Sequence, residues 1–517
     1  MGIKRYFADK NNTITNAYQT NLVTRGTSSN AGLADSLEVF SIYAQASSSS
    51  YEEAKILAQF PVTSSVLPNV TTISADRTSG KIPASGSVDF YLRLFNVVTD
   101  QTLARNFTLI ASPVSQSWEE GSGVDLDDHT DLTYDGTGSN WINAKAHTTW
   151  INNSGRILTQ SSDGGSYLSA SWMGSPLTTY NEFNYSQAFG PKGTGDLEMK
   201  ITGLVEQWIK GTSADGYGNY GVGIMLTSSE ANAAQSYYTK RFSARQSEYF
   251  FSRPLIEARW DSSTKDHRGN FTVSSSALST TDNLNTLYLY NYVRGQPTNL
   301  AKVGTGPINL NIYTSGSGGE QLTTTPDMSV TGGWVSTGLY SASFALSTTA
   351  SAVYDRWYSG SSWGAGIETA GTVIYYTGSF SPKKFNPLGN YYIPRFVTAI
   401  TNLQSIYYTG DKTRLRLFTR LKDWSPTIYT VASTQIENYF VESAYYKIYR
   451  VIDKKDVIPY GTGSLNYTKL SYDVSGSYFD LDTTILESGY AYGIKFVYYV
   501  NGTYEEQPET FKFRIDG

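Results

Sequence analysis

The sequence predicts an all-β protein built from several sandwich domains, and composition is the first of three observations behind this prediction. The chain has 517 residues, of which 41 are Tyr and 22 are Phe, and only 16% are charged, against about 25% in typical soluble domains. Aromatic and β-branched side chains suit the pleated surface of a sheet, while Gly, Asn and Ser supply the turns. Recurrent alternating patterns and the scarcity of helical periodicity are the other two observations.

Two breaks in the strand pattern divide the chain into three predicted domains. The chain is too long for one ordinary core. The polar, turn-rich segment 260–270 and the segment 380–390, which has two prolines and two lysines, interrupt the strands. We therefore expect domains at 1–262, 263–383 and 384–517. The last two have the length and strand spacing of small Ig-like β-sandwiches.

Alternation between apolar and polar side chains marks individual strands in order along the chain. One face of the strand at 87–95 consists of Val88, Phe90, Leu92 and Leu94. Residues 287–293 set Leu287, Leu289 and Val293 against Tyr288, Tyr290 and Tyr292. Residues 413–421 set Leu415, Leu417 and Leu421 against Arg414, Arg416 and Arg420. Each segment is therefore predicted to turn one face toward a core.

A single stretch, 201–211, predicts a helix. Its apolar stripe consists of Leu204, Val205, Trp208 and Ile209. Thr202 is placed to cap the start of this helix and Gly211 to end it. We expect a short helix over 202–210 that covers the end or edge of a sheet by packing.

The C-terminal segment predicts a β-hairpin. Asn501 and Gly502 lie between two strand-like runs, and a type I′ turn needs positive φ at both of its central positions. The last strand is expected to bury Phe511, Phe513 and Ile515.

Charge and cysteine content exclude several functional classes. The net charge is −5 and Lys and Arg form no cluster, which argues against a nucleic-acid partner. The absence of cysteine excludes disulfides, thiolate metal sites and cysteine nucleophiles. No run of about 18 apolar residues is available to span a membrane, and the first residues lack the apolar segment of a secretory signal. We therefore expect synthesis in a cytoplasm and no membrane insertion.

The stretch 117–141 carries unusually dense acidic residues and is the first place to look for catalysis. A glycosidase needs two carboxylates that flank one bond. Glu119 and Glu120 are adjacent, so in a strand they point to opposite faces and cannot form that pair. Glu120 is expected to accept backbone N–H groups at a turn. No nucleophile or phosphate-binding motif occurs elsewhere, so we predict no catalytic residue, no cofactor and no enzyme.

The same stretch raises the alternative of a bound cation. Asp125, Asp127 and Asp128 are spaced as oxygen ligands of Ca²⁺ could be, although the loop lacks the EF-hand pattern. A solvated loop is the other interpretation. The serine run 47–50 is expected to be a flexible loop tip.

Tyrosine provides the candidate binding residues. Tyrosine offers a large amphipathic contact area at low entropic cost, and is enriched at interfaces. The candidates for an exposed interface or glycan platform are Tyr288, Tyr290, Tyr292, Tyr407, Tyr408, Tyr445 and Tyr446. Packing against a neighbouring domain or subunit is the alternative reading of these faces.

The first part of the chain resembles the DNRLRE domain, a jelly-roll β-sandwich also described as a carbohydrate-binding module. The ordered features are the opening strand at 6–14, the Asn30–Gly32 turn, the strand at 54–62, the Trp-Glu-Glu-Gly segment at 118–121, the helix with Trp208, the Asn219-Tyr220-Gly221 segment and Arg253-Pro254. The resemblance implies a jelly-roll fold over 1–262 and a carbohydrate ligand. The long acidic insertion at 122–140 departs from the family.

The whole chain resembles accessory structural proteins of contractile-tailed bacteriophages. The start of the chain, the junction at 247–271 and the ending at 488–517 carry this resemblance. It implies a non-enzymatic virion protein (a head decoration, collar or fibre-type component) whose partners are other virion proteins or further copies of itself. The alternative is a glycan-binding module that aids attachment to a host surface polysaccharide.

Overall fold

A computed structural model of the chain describes residues 1–98, 105–124, 128–131, 138–151, 164–168, 185–212, 216–317, 319–360, 372–384, 394–422 and 438–517. The chain divides into two compact units, Gly2–Asp261 and Ser262–Gly517, the second counted together with Met1. Strands dominate both units and helices are few and short. The predicted all-β class with several sandwiches and one short helix near 202–210 is thus confirmed.

The first unit is mainly strands joined by turns. Its described strands are β1 (Ile3–Phe7), β2 (Lys10–Thr15), β3 (Ser36–Tyr43), β4 (Tyr51–Gln59), β5 (Asp89–Leu94), β6 (Phe107–Pro113), β7 (Asn143–Lys145), β8 (Thr148–Thr149), β9 (Tyr185–Phe189), β10 (Leu197–Lys200), β11 (Val222–Leu226), β12 (Tyr237–Ser243) and β13 (Leu255–Arg259). Its described helices are α1 (Ile73–Thr78), α2 (Thr202–Lys210) and α3 (Ser228–Ala231), with a 3-10 turn at Phe250–Ser252.

Two antiparallel sheets of the first unit enclose one core. The smaller sheet has the strand order β1-β13-β5-β10, and the larger has the order β12-β3-β4-β11-β6-β9 with β2 beside β4. The predicted alternation at 87–95 is confirmed, because Phe90, Leu92 and Leu94 are fully buried in β5. They pack in the same core as Ile56 and Ile224 of the larger sheet, so burial of two apolar faces holds the sandwich together.

Helix α2 closes the core of this sandwich, as predicted. Trp208 is buried with Leu204 and Val205, and Gly211 ends the helix at φ +68°. The predicted cap is wrong in detail. Ile201 is the N-cap residue, and the Thr202 hydroxyl instead accepts the N–H of Phe90 at 2.9 Å, which ties the helix to β5.

The second unit contains the remaining described strands. These are β14 (Asn285–Tyr290), β15 (Tyr292–Val293), β16 (Gln296–Pro297), β17 (Ile308–Tyr313), β18 (Thr324–Thr325), β19 (Val330–Ser336), β20 (Leu339–Leu346), β21 (Val353–Ser359), β22 (Val373–Phe380), β23 (Phe396–Ile400), β24 (Ile406–Tyr408), β25 (Lys412–Leu421), β26 (Ala444–Arg450), β27 (Asp456–Ile458), β28 (Ser471–Asp473), β29 (Gly476–Asp482), β30 (Ala491–Val500), β31 (Thr503–Glu506) and β32 (Phe511–Asp516). Short 3-10 turns lie at His267–Gly269 and Thr483–Ile485.

Strands β14 and β17 to β22 form one curled sheet around a core of their own, and β15 pairs with β16 in a separate hairpin. The strand order is β14-β20-β19-β17-β21-β22, with β18 beside β20. Strand β19 pairs with β17 from Val330 to Gly332 and with β20 from Gly333 onward. This change of partner lets the two halves of the sheet face each other across buried Leu310, Tyr340 and Trp357.

Two further sheets form a sandwich with an aromatic core at the C-terminal end. Their strand orders are β23-β25-β29-β28 and β24-β32-β30-β26-β27, with β31 beside β30. Tyr446 of one sheet stacks on Phe479 of the other, with ring centroids 4.3 Å apart. The predicted alternation of β25 is confirmed for Leu415 and Leu417, which are buried.

The predicted C-terminal hairpin is confirmed. Asn501 and Gly502 have φ of +49° and +82°, and Val500 pairs with Thr503 across the turn. By contrast, the pattern over 287–293 fails at its end, because β14 stops at Tyr290 and Val293 is 52% exposed in a separate hairpin of β15 and β16.

The three-domain division at 262 and 383 stays a prediction. The described contacts divide the chain into two units, and the strands before and after residue 383 belong to separate sheets. Among the described residues, no helix is long and apolar enough to cross a membrane.

Candidate binding surfaces

The carboxylate of Glu120 is held by hydrogen bonds to distant parts of the first unit. One carboxylate oxygen accepts the N–H of Asn11 at 2.8 Å; this donor lies in strand β2 and not at the turn where the sequence predicts the donors to be. Arg245 binds both oxygens, at 3.1 and 2.7 Å. Since both oxygens hold distant segments together, Glu120 fixes the position of the Trp118–Gly121 segment.

Asn30 organises the start and end of the acidic insertion. Its side-chain nitrogen donates to the carbonyl oxygens of Glu120 and Ser139, both at 2.8 Å. Its side-chain oxygen accepts the N–H groups of Gly32 at 3.1 Å and Gly123 at 2.9 Å. Asn30 is only 1% exposed, so these four hydrogen bonds satisfy its amide inside the protein.

The proposed cation loop falls mostly outside the described residues. This applies to Asp125 and Asp127, whereas Asp128 is described and exposed. Beside the loop, a carboxylate oxygen of Asp131 accepts the N–H of Val124 at 2.8 Å. Among the described residues, no group of three or more His, Asp or Glu side chains is placed to hold a metal ion.

The tyrosine face of β14 packs inside the second unit. Burial and the nearby Asp266, Tyr478 and Asp473 hold the pKa of Tyr290 far above its usual value. Tyr288 and Tyr290 are both half-buried. Their partial burial favours the alternative, packing against a neighbouring domain or subunit, over an exposed platform.

The arginine side chains on one face of β25 also have partners within the second unit. Arg414 binds Asp480 at 2.8 and 3.2 Å, and its guanidinium lies 4.1 Å from the ring centroid of Tyr478. Arg416 binds Asp473 through two hydrogen bonds of 2.9 Å. The charges of the arginine face are thus largely paired within the unit.

Three other tyrosine candidates prove to be core residues. Tyr407, Tyr445 and Tyr446 are 3%, 4% and 1% exposed, which corrects the expectation of exposed pairs. Each pair places one or both rings inward because its strand belongs to a two-sheet sandwich. Tyr408 is 63% exposed on the edge strand β24, and Tyr292 is 56% exposed in the hairpin of β15.

A pocket that the sequence did not reveal lies in the first unit. The serine-loop pocket has a volume of about 410 Å³, within the range of about 300–1,000 Å³ of ligand pockets. Its lining residues are Asn16, Tyr18, Arg25, Thr27, Ser47, Ser49, Ser50, Tyr51 and Trp141. These come from three distant segments, so no local motif could have indicated it.

An exposed apolar patch lies at the tips of two hairpins of the second unit. This hairpin-tip patch consists of Tyr292, Val293, Trp334 and Val335, which are 56%, 52%, 41% and 46% exposed. Asn299 joins the two tips, because its side-chain oxygen accepts from Trp334 at 3.1 Å and from the N–H of Gly338 at 2.8 Å.

Comparisons with known proteins yield distant likenesses only. No family model matches the chain, and no curated protein matches it. A chimeric titin Z1Z2-Z1Z2 tandem is 11% identical, with 45% of this chain and 91% of that chain covered and a TM-score of 0.14. The FN1–FN3 domains of chicken CNTN1 are 10% identical, with 56% and 83% covered and a TM-score of 0.14. A marsupial T cell receptor is 10% identical, with 41% and 63% covered and a TM-score of 0.15.

Proposed function

We propose that the chain is a non-enzymatic structural protein of a tailed bacteriophage particle, attached by protein–protein contacts as a head decoration, collar or fibre-type component. The sequence resemblance over the start, the 247–271 junction and the ending supports this role. The observation that carries the proposal is the hairpin-tip patch, in which four large apolar side chains are exposed at two joined hairpins.

The hairpin-tip patch suits a contact with another virion protein. Aromatic residues are enriched at protein interfaces, and burial of apolar surface supplies much of their binding energy. The patch is also held in place before binding, because Asn299 and the pairing of Trp334 with Tyr340 fix the hairpins. A preorganised surface loses less entropy on association.

The experiment compares incorporation into purified particles. The double variant Val293→Ser with Val335→Ser removes apolar surface without removing a side-chain hydrogen bond. We expect its copy number per particle to fall on the order of tenfold, as interface anchors each contribute about 1 kcal/mol or more. Quantitative mass spectrometry of particles from complemented infections measures this.

The matched control is the double variant Ile452→Ser with Val98→Ser, which changes two exposed apolar side chains elsewhere (77% and 81% exposed). It should be incorporated like the unmodified chain. Equal incorporation of the patch variant and the control would contradict the assigned surface. Absence of the unmodified chain from particles would contradict the virion role itself.

Glycan binding is the second candidate function, and the serine-loop pocket favours it. The pocket combines tyrosine and tryptophan rings with hydroxyl and amide groups, which is the chemistry that recognises sugars through ring contacts and hydrogen bonds. A glycan array probed with the full chain tests this function. Signals that vanish in a pocket-blocking variant support it, and an array without any signal at high protein concentration contradicts it.

A further inference from the structure

The serine-loop pocket is built from two hydrogen-bonded turns. Tyr18 and Arg25 pair at the base of a hairpin, whose tip is held by the side chain of Asn21, which accepts the N–H groups of Val23 and Thr24 at 2.8 Å. The walls of the pocket therefore have a defined geometry on this side.

The serine turn forms the opposite wall. The Ser50 hydroxyl accepts the N–H groups of Ala46 and Ser47 at 3.1 Å and donates to the Ser47 carbonyl at 3.0 Å. Tyr43 donates its hydroxyl to the carbonyl of Ser48 at 3.0 Å. The run expected to be a flexible tip is thus a hydrogen-bonded turn.

Arg25 is the one charged side chain among the described residues that line the pocket. Its Nη1 donates to the carbonyl oxygens of Asn16 at 2.7 Å and Tyr51 at 3.0 Å, and its guanidinium lies 4.2 Å from the ring centroid of Tyr18. Its Nε and Nη2 make no hydrogen bond with another described residue. Arg25 therefore keeps donors in the fork geometry that matches a carboxylate.

Glu52 and Glu53, which follow Tyr51 in the chain, have other partners. Glu52 accepts the N–H of Tyr18 at 2.8 Å and is 1% exposed, so it lies behind the wall, where it offsets part of the Arg25 charge. Glu53 lies 3.7 Å from Lys55. None of the described residues that line the cavity is acidic, so an anionic group inside the cavity meets no like charge among these lining side chains.

The remaining lining groups suit a hydroxylated ring. Tyr51 is 39% exposed and presents an aromatic surface, and Trp141 forms a buried part of the wall. The hydroxyls of Thr27 and Ser49 make no hydrogen bond with another described residue. Rings and uncommitted hydroxyls at one cavity provide stacking surface and hydrogen bonds for a sugar.

We propose that the serine-loop pocket binds a carboxylate-bearing saccharide unit, a hexuronate or similar acidic sugar, with its carboxylate on Arg25 and its ring against Tyr51. This inference deepens the glycan-binding candidate and does not depend on the virion role. Charge-assisted hydrogen bonds to a guanidinium would make the acidic sugar bind more tightly than its neutral counterpart.

The test measures binding of three probes to the full chain by ligand-observed NMR and calorimetry: methyl β-glucuronide, methyl β-glucoside and acetate. We expect the glucuronide to bind about tenfold more tightly than the glucoside, the size of effect that a charged hydrogen bond gives, and acetate to show no saturable binding. Equal affinity for the two glycosides would overturn the acidic assignment. No binding of either glycoside would overturn the site, while particle incorporation would be unaffected.

Two pairs of variants localise the binding. Arg25→Gln should remove the preference for the glucuronide, and Arg294→Gln, at an exposed arginine of the second unit, should keep it. Ser49→Trp should block the pocket and abolish binding, and Ser48→Trp, on the same turn but outside the lining, should not. Unchanged circular dichroism and melting of Ser49→Trp exclude misfolding. Glucuronide binding retained by Ser49→Trp would refute the assignment.

Discussion

Glu257 lies fully buried in β13 and is surrounded by arginines. Arg5 binds it at 2.8 Å, Arg259 at 2.7 Å and Arg93 at 3.4 Å. Burial alone would raise the pKa of Glu257, but the three arginines outweigh it and hold the pKa at about 2. Such a group stabilises the fold only while it is ionised.

The variant Glu257→Gln should therefore lose stability in a pH-dependent way. Removing one partner of a buried ion cluster leaves uncompensated charge, so at pH 7 we expect the free energy of unfolding to fall by about 3–5 kcal/mol. In the unmodified chain, the contribution of Glu257 to stability should be lost as the pH falls from 4.5, the ordinary pKa of a glutamate, toward about 2, its pKa in the folded chain. The reason is that the unfolded state binds the proton first.

Denaturant unfolding of both proteins between pH 7 and pH 2.5 measures this difference. The control Glu248→Gln changes an exposed carboxylate and should unfold like the unmodified chain. The claim that ionised Glu257 stabilises the fold would be contradicted if Glu257→Gln and the unmodified chain differed in stability by the same amount over the whole pH range.

Asn30 gives a second prediction at the scale of single residues. Replacing it with Ala removes the side-chain partner of four backbone groups, two of them in buried hydrogen bonds, and a buried group left without a partner costs about 1–3 kcal/mol. We expect Asn30→Ala to lower the free energy of unfolding by about 3 kcal/mol or more. Asn30→Asp should also lower it, because a carboxylate lacks the two N–H donors of the amide.

Thermal and denaturant unfolding measure the effect, with Asn232→Ala, at an exposed position, as the control. If Asn30→Ala were as stable as this control, the four hydrogen bonds of the Asn30 side chain would not stabilise the fold, and the prediction would be refuted.

The sequence revealed little of this polar arrangement. It predicted that Glu120 accepts backbone N–H groups at its own turn, whereas the N–H that Glu120 accepts belongs to Asn11, 109 residues away. It did not reveal Arg245, which is 125 residues away, or the bonds from Asn30 to Ser139, 109 residues away. Such pairs follow from the three-dimensional fold and not from local spacing.

At the scale of elements, local chemistry predicted turns better than helix ends. Asn501 and Gly502 adopt the positive φ that their residue types favour. The short helices α1 and α3 were missed, although Thr72 caps one and Thr227 with Glu230 forms a capping box at the other. Helices of one or two turns have too few residues for a periodic signal.

The hairpin gives a prediction at this scale. Gly502→Val places a β-branched residue at φ +82°, which costs about 1–2 kcal/mol. We expect a lower unfolding midpoint for the C-terminal sandwich, measured by denaturant titration. The control Gly333→Val sits in a strand with open space around it and should be neutral. Equal midpoints for both variants would argue against the I′ turn.

At the scale of the whole molecule, composition and alternation predicted the all-β class, because they report directly on residues that suit sheets. They could not tell whether the tyrosine face of β14 meets solvent or another sheet, since both give the same alternation. Tyr290 lies near Tyr478 in the folded chain. The serine-loop pocket was invisible for the related reason that its lining comes from three segments.

The central claim is that this chain is a component of a phage particle, and a reconstruction of purified particles tests it most directly. Particles with the chain should show extra density, in several symmetry-related copies, that accommodates its two compact β units and contacts a neighbouring protein at the hairpin-tip patch. Particles from a deletion mutant should lack that density. A chain that is abundant in lysates but absent from the reconstruction and from the mass spectrum of purified particles would contradict the claim.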